Sequence, residues 1–259
     1  MIKFSIITVT YNAGQLFEKT ARNVMEQTYP EVEHIIIDGA STDGTAQKAL
    51  DYKQANEEDI DCLHEVVVIS EPDRGLYDAM NKGLKKATGD YVLFLNAGDV
   101  LPTKDTLENI EATVGEGETL PAVLYGETDI VDEDGNFIRH RRLTAPKKLT
   151  WRSFMRGMLV CHQAFYARTD IARQTSYNLE YRYSADVDWC IRIMKKAHQE
   201  RLPMRNVGFV VVNFLAGGIS KKNHRNSLKE RFAVMRKHYG LLPTAFMHAF
   251  FILRALVKK

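Results

Sequence analysis

Four short apolar runs in the first hundred residues each end in groups that accept or donate hydrogen bonds or carry charge. These are Thr10-Tyr11-Asn12, Asp38-Gly39, Glu71-Pro72-Asp73 and Asn96-Ala97-Gly98-Asp99. Asp78 and Asn81 stand three apart, so a helix there puts both on one face. Asp186 and Asp188 open another amphipathic stretch, and His162 and His224 stand alone. The charge distribution narrows what such groups can hold. Residues 1–130 carry 10 Lys and Arg against 24 Asp and Glu, a net of −14; residues 131–259 carry 25 against 9, a net of +16. The acidic part suits a metal ion, and the basic part suits phosphate or an anionic membrane.

Several chemistries are excluded. Neither GxGxxG nor GxxxxGK[ST] follows the first apolar run, which argues against dinucleotide dehydrogenases and P-loop NTPases. There is no HExxH, and the histidines lack ligand spacing. Gly39-Ala40-Ser41-Thr42-Asp43 misses the second glycine of a nucleophile elbow. Cys62, Cys161 and Cys190 form no CxxC pair, so they read as small core residues in a reducing compartment. The opening run MIKFSIITVTYN is too short for a signal peptide and reads as a strand. The cytoplasm is the expected location, with peripheral contact on the inner face of the plasma membrane.

The elements that must position these groups follow from the hydrophobic pattern. Strands are expected at 4–9, 34–37, 65–69 and 91–95, alternating with helices at 16–27, 45–54 and 76–87. That alternation is the pattern of a mostly parallel sheet with helices on both faces. Ligands bind such sheets beyond the carboxyl ends of the strands, where the four polar clusters lie. The second half is less regular: strands at 122–125, 130–131, 137–139, 161–167 and 205–214, a helix at 186–197, basic helix from 226, and an apolar helix at 243–257. The stretch 56–61 reads as an exposed loop. The chain divides into a regular α/β portion (1–120), a less regular portion of the same domain (121–240), and a closing apolar helix (241–259).

Five stretches carry a resemblance: SIITVTYNAG (5–14), IIIDGASTDGT (35–45), EPDRGLYDAMNKGLKKATGDY (71–91), LFLNAGD (93–99) and YSADVDW (183–189). In this order they resemble the family 2 glycosyltransferases of the GT-A fold, and especially members that build bacterial exopolysaccharide, capsule or O-antigen. The resemblance implies an α/β, GT-A-like Rossmann-type fold with a C-terminal acceptor-side helical extension. It implies an inverting enzyme that takes a sugar from a nucleotide diphosphate, uridine ahead of guanosine, using Mn²⁺ or Mg²⁺. The implied acceptor is a hydroxyl of a glycan or of a polyprenyl-diphosphate-linked chain.

Residue by residue, Asp38 resembles the aspartate that recognises the base, with Gly39 where the family often has a second aspartate. Thr10, Tyr11 and Asn12 leave the first strand where a nucleoside would lie. Asp73, Arg74, Asp78 and Asn81 resemble donor-contacting positions. Asn96-Ala97-Gly98-Asp99 stands in place of the acidic metal motif: Asp99 is the remaining metal ligand, and Asn96 and Gly98 contact the donor. Asp186 takes the place of the catalytic base, a carboxylate able to accept the proton of an acceptor hydroxyl. Ala185 replaces its acidic neighbour. His162 and His224 are candidates for acceptor or diphosphate contact.

The apolar helix and basic second half suit a membrane surface; no nucleic-acid motif accompanies the charge, and the oligomeric state is not legible. Two rivals stand: a sugar-nucleotide nucleotidyltransferase, which needs a glycine-rich basic N-terminal signature absent here, and a catalytically silent nucleotide-sugar-binding module.

Overall fold

The computed structural model describes residues 1–115, 119–217 and 223–257, with the backbone alone for His224 and residues 254–257. Strands β1 (Phe4–Thr10), β2 (Val32–Asp38), β3 (Glu65–Ser70) and β4 (Tyr91–Phe94) run parallel in the order β3-β2-β1-β4. Every residue of β1, β2 and β4 is buried, as continuous apolar strands are when helices cover both faces. On one face α1 (Gly14–Met25) and α2 (Thr45–Glu58) close a small core of Phe17, Ala21, Ile36, Ala49, Tyr52 and Val66. On the other, α3 (Leu76–Lys86) sends Tyr77, Met80 and Leu84 into the main core.

Beyond β4 the direction reverses. Strand β7 (Phe165–Arg168) lies antiparallel to β4 and to β5 (Val123–Val131); β8 (Met204–Leu215) runs parallel to β5, and β6 (Phe137–His140) pairs with its far end. The sheet is thus the expected mixed but mostly parallel α/β sheet, with helices α4 (Thr106–Ala112), α5 (Thr169–Arg173), α6 (Ala185–Gln199), α7 (His224–Tyr239) and α8 (Leu241–Val257) completing the chain.

Three local departures from the sequence reading have physical causes. The two strand fragments at 122–125 and 130–131 are one strand, because β8 pairs along its whole length through two register shifts. Helix α2 runs on to Glu58, into the stretch expected as loop, where Asn56 is buried and donates to the His64 carbonyl at 2.8 Å. Most consequential, 161–167 is not one strand. Its start closes into a 3₁₀ turn, His162–Ala164, through the Ala164 N–H to the Cys161 carbonyl at 3.0 Å, and β7 begins only at Phe165.

Helix α6 is held from behind by a buried charge. Asp188 is fully buried and takes Arg192 Nε at 2.6 Å, His238 Nε2 at 2.8 Å and Lys237 Nζ at 3.7 Å, so it clamps α6 to α7. Glu230 of α7 reinforces the clamp by accepting the N–H groups of Arg182, Tyr183 and Ser184 at 2.9, 2.6 and 3.0 Å, which fixes the chain entering α6. Burial pushes the Asp188 carboxyl up, but His238, Arg192 and Lys237 outweigh it and hold it at about 2.

Asp188→Ala leaves a buried imidazole and a half-buried guanidinium without their acid and should cost roughly 3–5 kcal/mol in urea unfolding at pH 7. Because the folded pKa lies below the ordinary 3.8, the carboxylate's contribution is complete above pH 4 and is lost as pH falls towards about 2. The gap between wild type and variant should therefore narrow over that window. A gap below about 1 kcal/mol at pH 7, the range of an exposed pair, would contradict the clamp.

Candidate functional site

The carboxyl ends of β1 and β2 form the first corner of the site. Tyr11 projects its ring into solvent, 65 % exposed, beyond the buried Thr10, whose Oγ1 has no partner among the described residues. Asn12 adopts a left-handed backbone (φ 49) and accepts the Thr42 N–H at 2.8 Å, while its own N–H donates to Ser41 Oγ at 2.8 Å. Asp38 is fully buried. It accepts the Ser41 N–H at 2.9 Å, the Ser70 hydroxyl at 2.6 Å and the Ser41 hydroxyl, so three of its roughly four lone-pair positions are engaged within the chain. The carboxylate that reaches over this corner is Asp73. A Cβ on Gly39 would lie 2.6 Å from Asp73 Oδ2 and 3.4 Å from Tyr11 Cδ2, so the missing side chain at 39 is what lets Asp73 approach.

The start of α3 is tied to its own neighbours. Arg74 forms a two-pronged pair with Asp78, Nη2 to Oδ1 at 2.9 Å and Nε to Oδ2 at 3.3 Å, which holds Asp78 below the ordinary carboxylate range. Asn81 exchanges both amide ends with the Tyr177 backbone, at 2.7 and 3.0 Å. The shared helix face of Asp78 and Asn81 thus ends in internal bonds on both residues.

The turn after β4 carries the second corner. Gly98 has φ 98, a backbone conformation that favours glycine, and a Cβ there would also push on the tip of Leu215, whose Cδ2 would lie 2.5 Å away. It buries Asp99, 3 % exposed, against the end of β8: Oδ1 accepts the Leu215 N–H at 2.9 Å and Oδ2 accepts Gln163 Nε2 at 3.1 Å. Burial dominates its titration and raises the carboxyl to about 6, even though the Leu215 N–H, Gln163 and His162 pull the other way. No group of three or more His, Cys, Asp or Glu fit to hold a metal occurs among the described residues. The donor set is therefore one under-compensated carboxylate. It fits a hard cation that brings most of its oxygen ligands with a diphosphate, and does not fit a pre-formed all-protein site.

The third corner comes from the far half of the chain. Asp186 lies in the first turn of α6, two residues past Ser184 at the N-cap position. Its Oδ1 accepts the Val187 N–H at 2.9 Å and faces the Tyr77 hydroxyl at 3.4 Å; its Oδ2 lies 3.5 Å from His162 Nδ1. The carboxylate remains 17 % exposed. Burial raises its pKa, but His162, Arg231 and the Val187 N–H together bring it below the ordinary range. On the opposite side of the ring, His162 Nε2 meets Asn96 Nδ2 at 3.2 Å, and Asn96 Oδ1 is left buried without a partner among the described residues.

One three-residue turn therefore touches both halves: Gln163 binds Asp99, and its neighbour His162 faces Asp186. Asn96, Asp99, His162 and Asp186, separate in sequence, come together here. Among the described residues the side chains of Arg74 and Asn81 bond to Asp78 and to the Tyr177 backbone, and the His224 side chain lies outside the described residues. Sequence reasoning missed Gln163, Tyr77, Ser41 and Ser70. Each stands within or beside a motif already singled out, but nothing in its spacing distinguishes it from its neighbours.

Known proteins resemble this chain in sequence and in fold. The chain is 36 % identical over 190 residues to a PGL/p-HBAD biosynthesis glycosyltransferase of Mycobacterium bovis strain BCG, covering 73 % of this chain and 68 % of that one. The fold is similar to S. aureus TarS 1–349 in complex with UDP-GlcNAc, with TM-score 0.66 and 18 % identity over 95 % of this chain and 69 % of that one. It is also similar to the mannosyltransferase PcManGT of Pyrobaculum calidifontis in complex with GDP-Man and Mn²⁺, with TM-score 0.62 and 19 % identity over 95 % and 70 %. Both likenesses are those of GT-A glycosyltransferases. Residues 5–175 match the pattern of glycosyl transferase family 2, and the chain belongs to that family.

Proposed function

We propose that the chain transfers a sugar, with inversion, from a nucleotide diphosphate to a hydroxyl of a glycan or lipid-linked acceptor in the assembly of a bacterial surface polysaccharide. UDP is the favoured carrier. The observation that carries this reading is the turn whose two adjacent side chains face Asp99 and Asp186. It sets a carboxylate suited to the leaving diphosphate beside a carboxylate suited to the acceptor.

The reaction is a single displacement. The acceptor oxygen bonds to the anomeric carbon while the bond to the diphosphate oxygen breaks, and the diphosphate leaves with that electron pair. Asp186 takes the hydroxyl proton; its depressed pKa keeps it ionised and ready to do so. Tyr11 stacks on the nucleoside, and Asp73, Asp38, Thr10 and Asn12 border it. Asn96, Gly98, Arg74 and Asp78 line the donor's approach. A divalent cation held by Asp99 and the donor's own phosphates would neutralise charge on the leaving group. A named relative in PGL biosynthesis, and likenesses to proteins bound to UDP-GlcNAc and to GDP-Man with Mn²⁺, support the donor class.

We also propose that the protein lies against an anionic membrane through α8. One side of this helix, Thr244, Met247, His248 and Phe251, faces α7, with His248 and Phe232 rings 4.9 Å apart. The other side leaves Leu242 (81 %), Phe246 (73 %), Phe250 and Leu253 exposed in a helical stripe. Arg152, Lys229 and Arg236 are exposed on the two elements it packs against, the 3₁₀ helix at 151–156 and α7. Among the described residues no helix is long and apolar enough to cross a membrane. Such a stripe with basic neighbours suits the interface.

Three measurements test these readings. With Mn²⁺, UDP should raise the melting temperature more than with chelator, and Asp99→Ala should abolish the difference. Asp186→Asn should retain that nucleotide response yet lose about 10²–10⁴ in transfer rate. Near-normal transfer by Asp186→Asn would reject the base, and full binding without any transfer by the wild type would favour the silent module. Sedimentation with anionic vesicles should decline as salt screens the basic side chains. It should also weaken in Leu242→Glu/Phe246→Glu, whereas equal sedimentation of that variant would remove α8 from the contact.

A further inference from the structure

We propose that His162 is a positioning residue for Asp186, donating its Nδ1–H to that carboxylate in a tautomer that Asn96 fixes from the other side of the ring. The inference deepens the transferase reading and rests on Asp186 being the base.

Two contacts favour the same arrangement of protons. A carboxylate can only accept, so a hydrogen on Nδ1 makes the 3.5 Å approach to Asp186 Oδ2 an attractive one. In a neutral ring Nε2 is then an acceptor, and the group facing it at 3.2 Å is the amide NH₂ of Asn96. The imidazole is only 10 % exposed, so water does not compete freely for either nitrogen. It is also held at its root, because the 3₁₀ turn that starts at His162 closes on the Cys161 carbonyl and Gln163 beside it is bonded to Asp99. Turning the ring breaks the Asn96 contact on one side and withdraws Nδ1 from Asp186 on the other.

The consequence for Asp186 is both orientation and charge. Its Oδ1 is directed by the Val187 N–H and the Tyr77 hydroxyl, and Oδ2 by His162, so the carboxylate plane is set by three donors from three elements. The groups that act on its charge are His162 from the turn, Arg231 from α7, Tyr77 from α3, and Tyr177 and Cys190 packed behind it. The two tyrosines and the cysteine are pushed well up by burial and stay neutral, so His162 and Arg231 are what oppose the burial of the carboxylate. As the acceptor proton arrives on Asp186, the Nδ1–H keeps the carboxyl from rotating away from the substrate. The Asn96 contact links this base to the loop that carries Asp99.

The test compares His162→Ala and His162→Asn with wild type across pH. Asn can offer an amide N–H near the place of Nδ1, whereas Ala offers nothing. In His162→Ala the acid limb of kcat/KM should move up by about one pH unit, about tenfold in rate on that limb. In His162→Asn it should remain close to wild type, and nucleotide binding should be unchanged in both. Nitrogen NMR of ¹⁵N-histidine-labelled wild type, which needs no variant to fold, should find His162 protonated at Nδ1 and not at Nε2. An Nε2–H tautomer, or an acid limb that stays in place in His162→Ala, would overturn the proposal. Its failure is separable from that of the base assignment. Transfer that survives Asp186→Asn rejects the base, whereas transfer lost in Asp186→Asn with an unmoved limb in His162→Ala rejects only the role of His162.

Discussion

Burying a carboxylate costs several kcal/mol unless charge or hydrogen bonds compensate it. This chain does so twice in one place, with opposite results. Asp99 receives two neutral N–H donors, and its carboxyl is driven up to about 6. Asp186 receives an N–H, an imidazole and the field of Arg231, and its carboxyl is drawn down. Two acids whose surroundings push their pKa values apart are fitted to different tasks. A cation would relieve the under-compensated one most, and the well-compensated one stays ionised. The difference follows from which donors the fold aims at each group.

Much of the remaining architecture maintains that difference. Asp188, two residues beyond Asp186 on the same helix, points away from the site and is locked by Arg192 and His238, so the first turn of α6 cannot roll. Beneath Asp186, Tyr77 stacks on Tyr177 and Tyr177 on Trp189, with ring centroids 5.3 and 4.9 Å apart. This column joins α3, the segment before α6 and α6 itself, which gives the two halves of the chain a shared aromatic interior. Asn81, gripping the Tyr177 backbone from α3, holds the column in register.

How much of this was legible varies with the kind of information required. The parallel β3-β2-β1-β4 edge follows from alternating apolar runs, and its carboxyl ends fall where Asp38, Asp73 and Asp99 stand. Helical spacing correctly put Asp78 and Asn81 on one face, but spacing does not reveal what lies opposite, and the partners were Arg74 and a backbone segment about a hundred residues away. The run from Cys161 to Ala167 has strand composition, yet its first residues make a turn because the Cys161 carbonyl is satisfied locally. That choice depends on the tertiary positions of Asp99 and Asp186 and leaves no periodic trace. In α8 the apolar character was plain all round; which side would remain bare depended on where α7 came to rest.

The most direct measurement is a crystal structure of the chain with an intact nucleotide sugar. If the account is right, the diphosphate sits beside Asp99, and the anomeric carbon lies nearer the Asp186 carboxylate than any other acid, with an open path for a hydroxyl between them. A sugar turned towards Asp73 or Asp78, with Asp186 closed off behind His162, would contradict it.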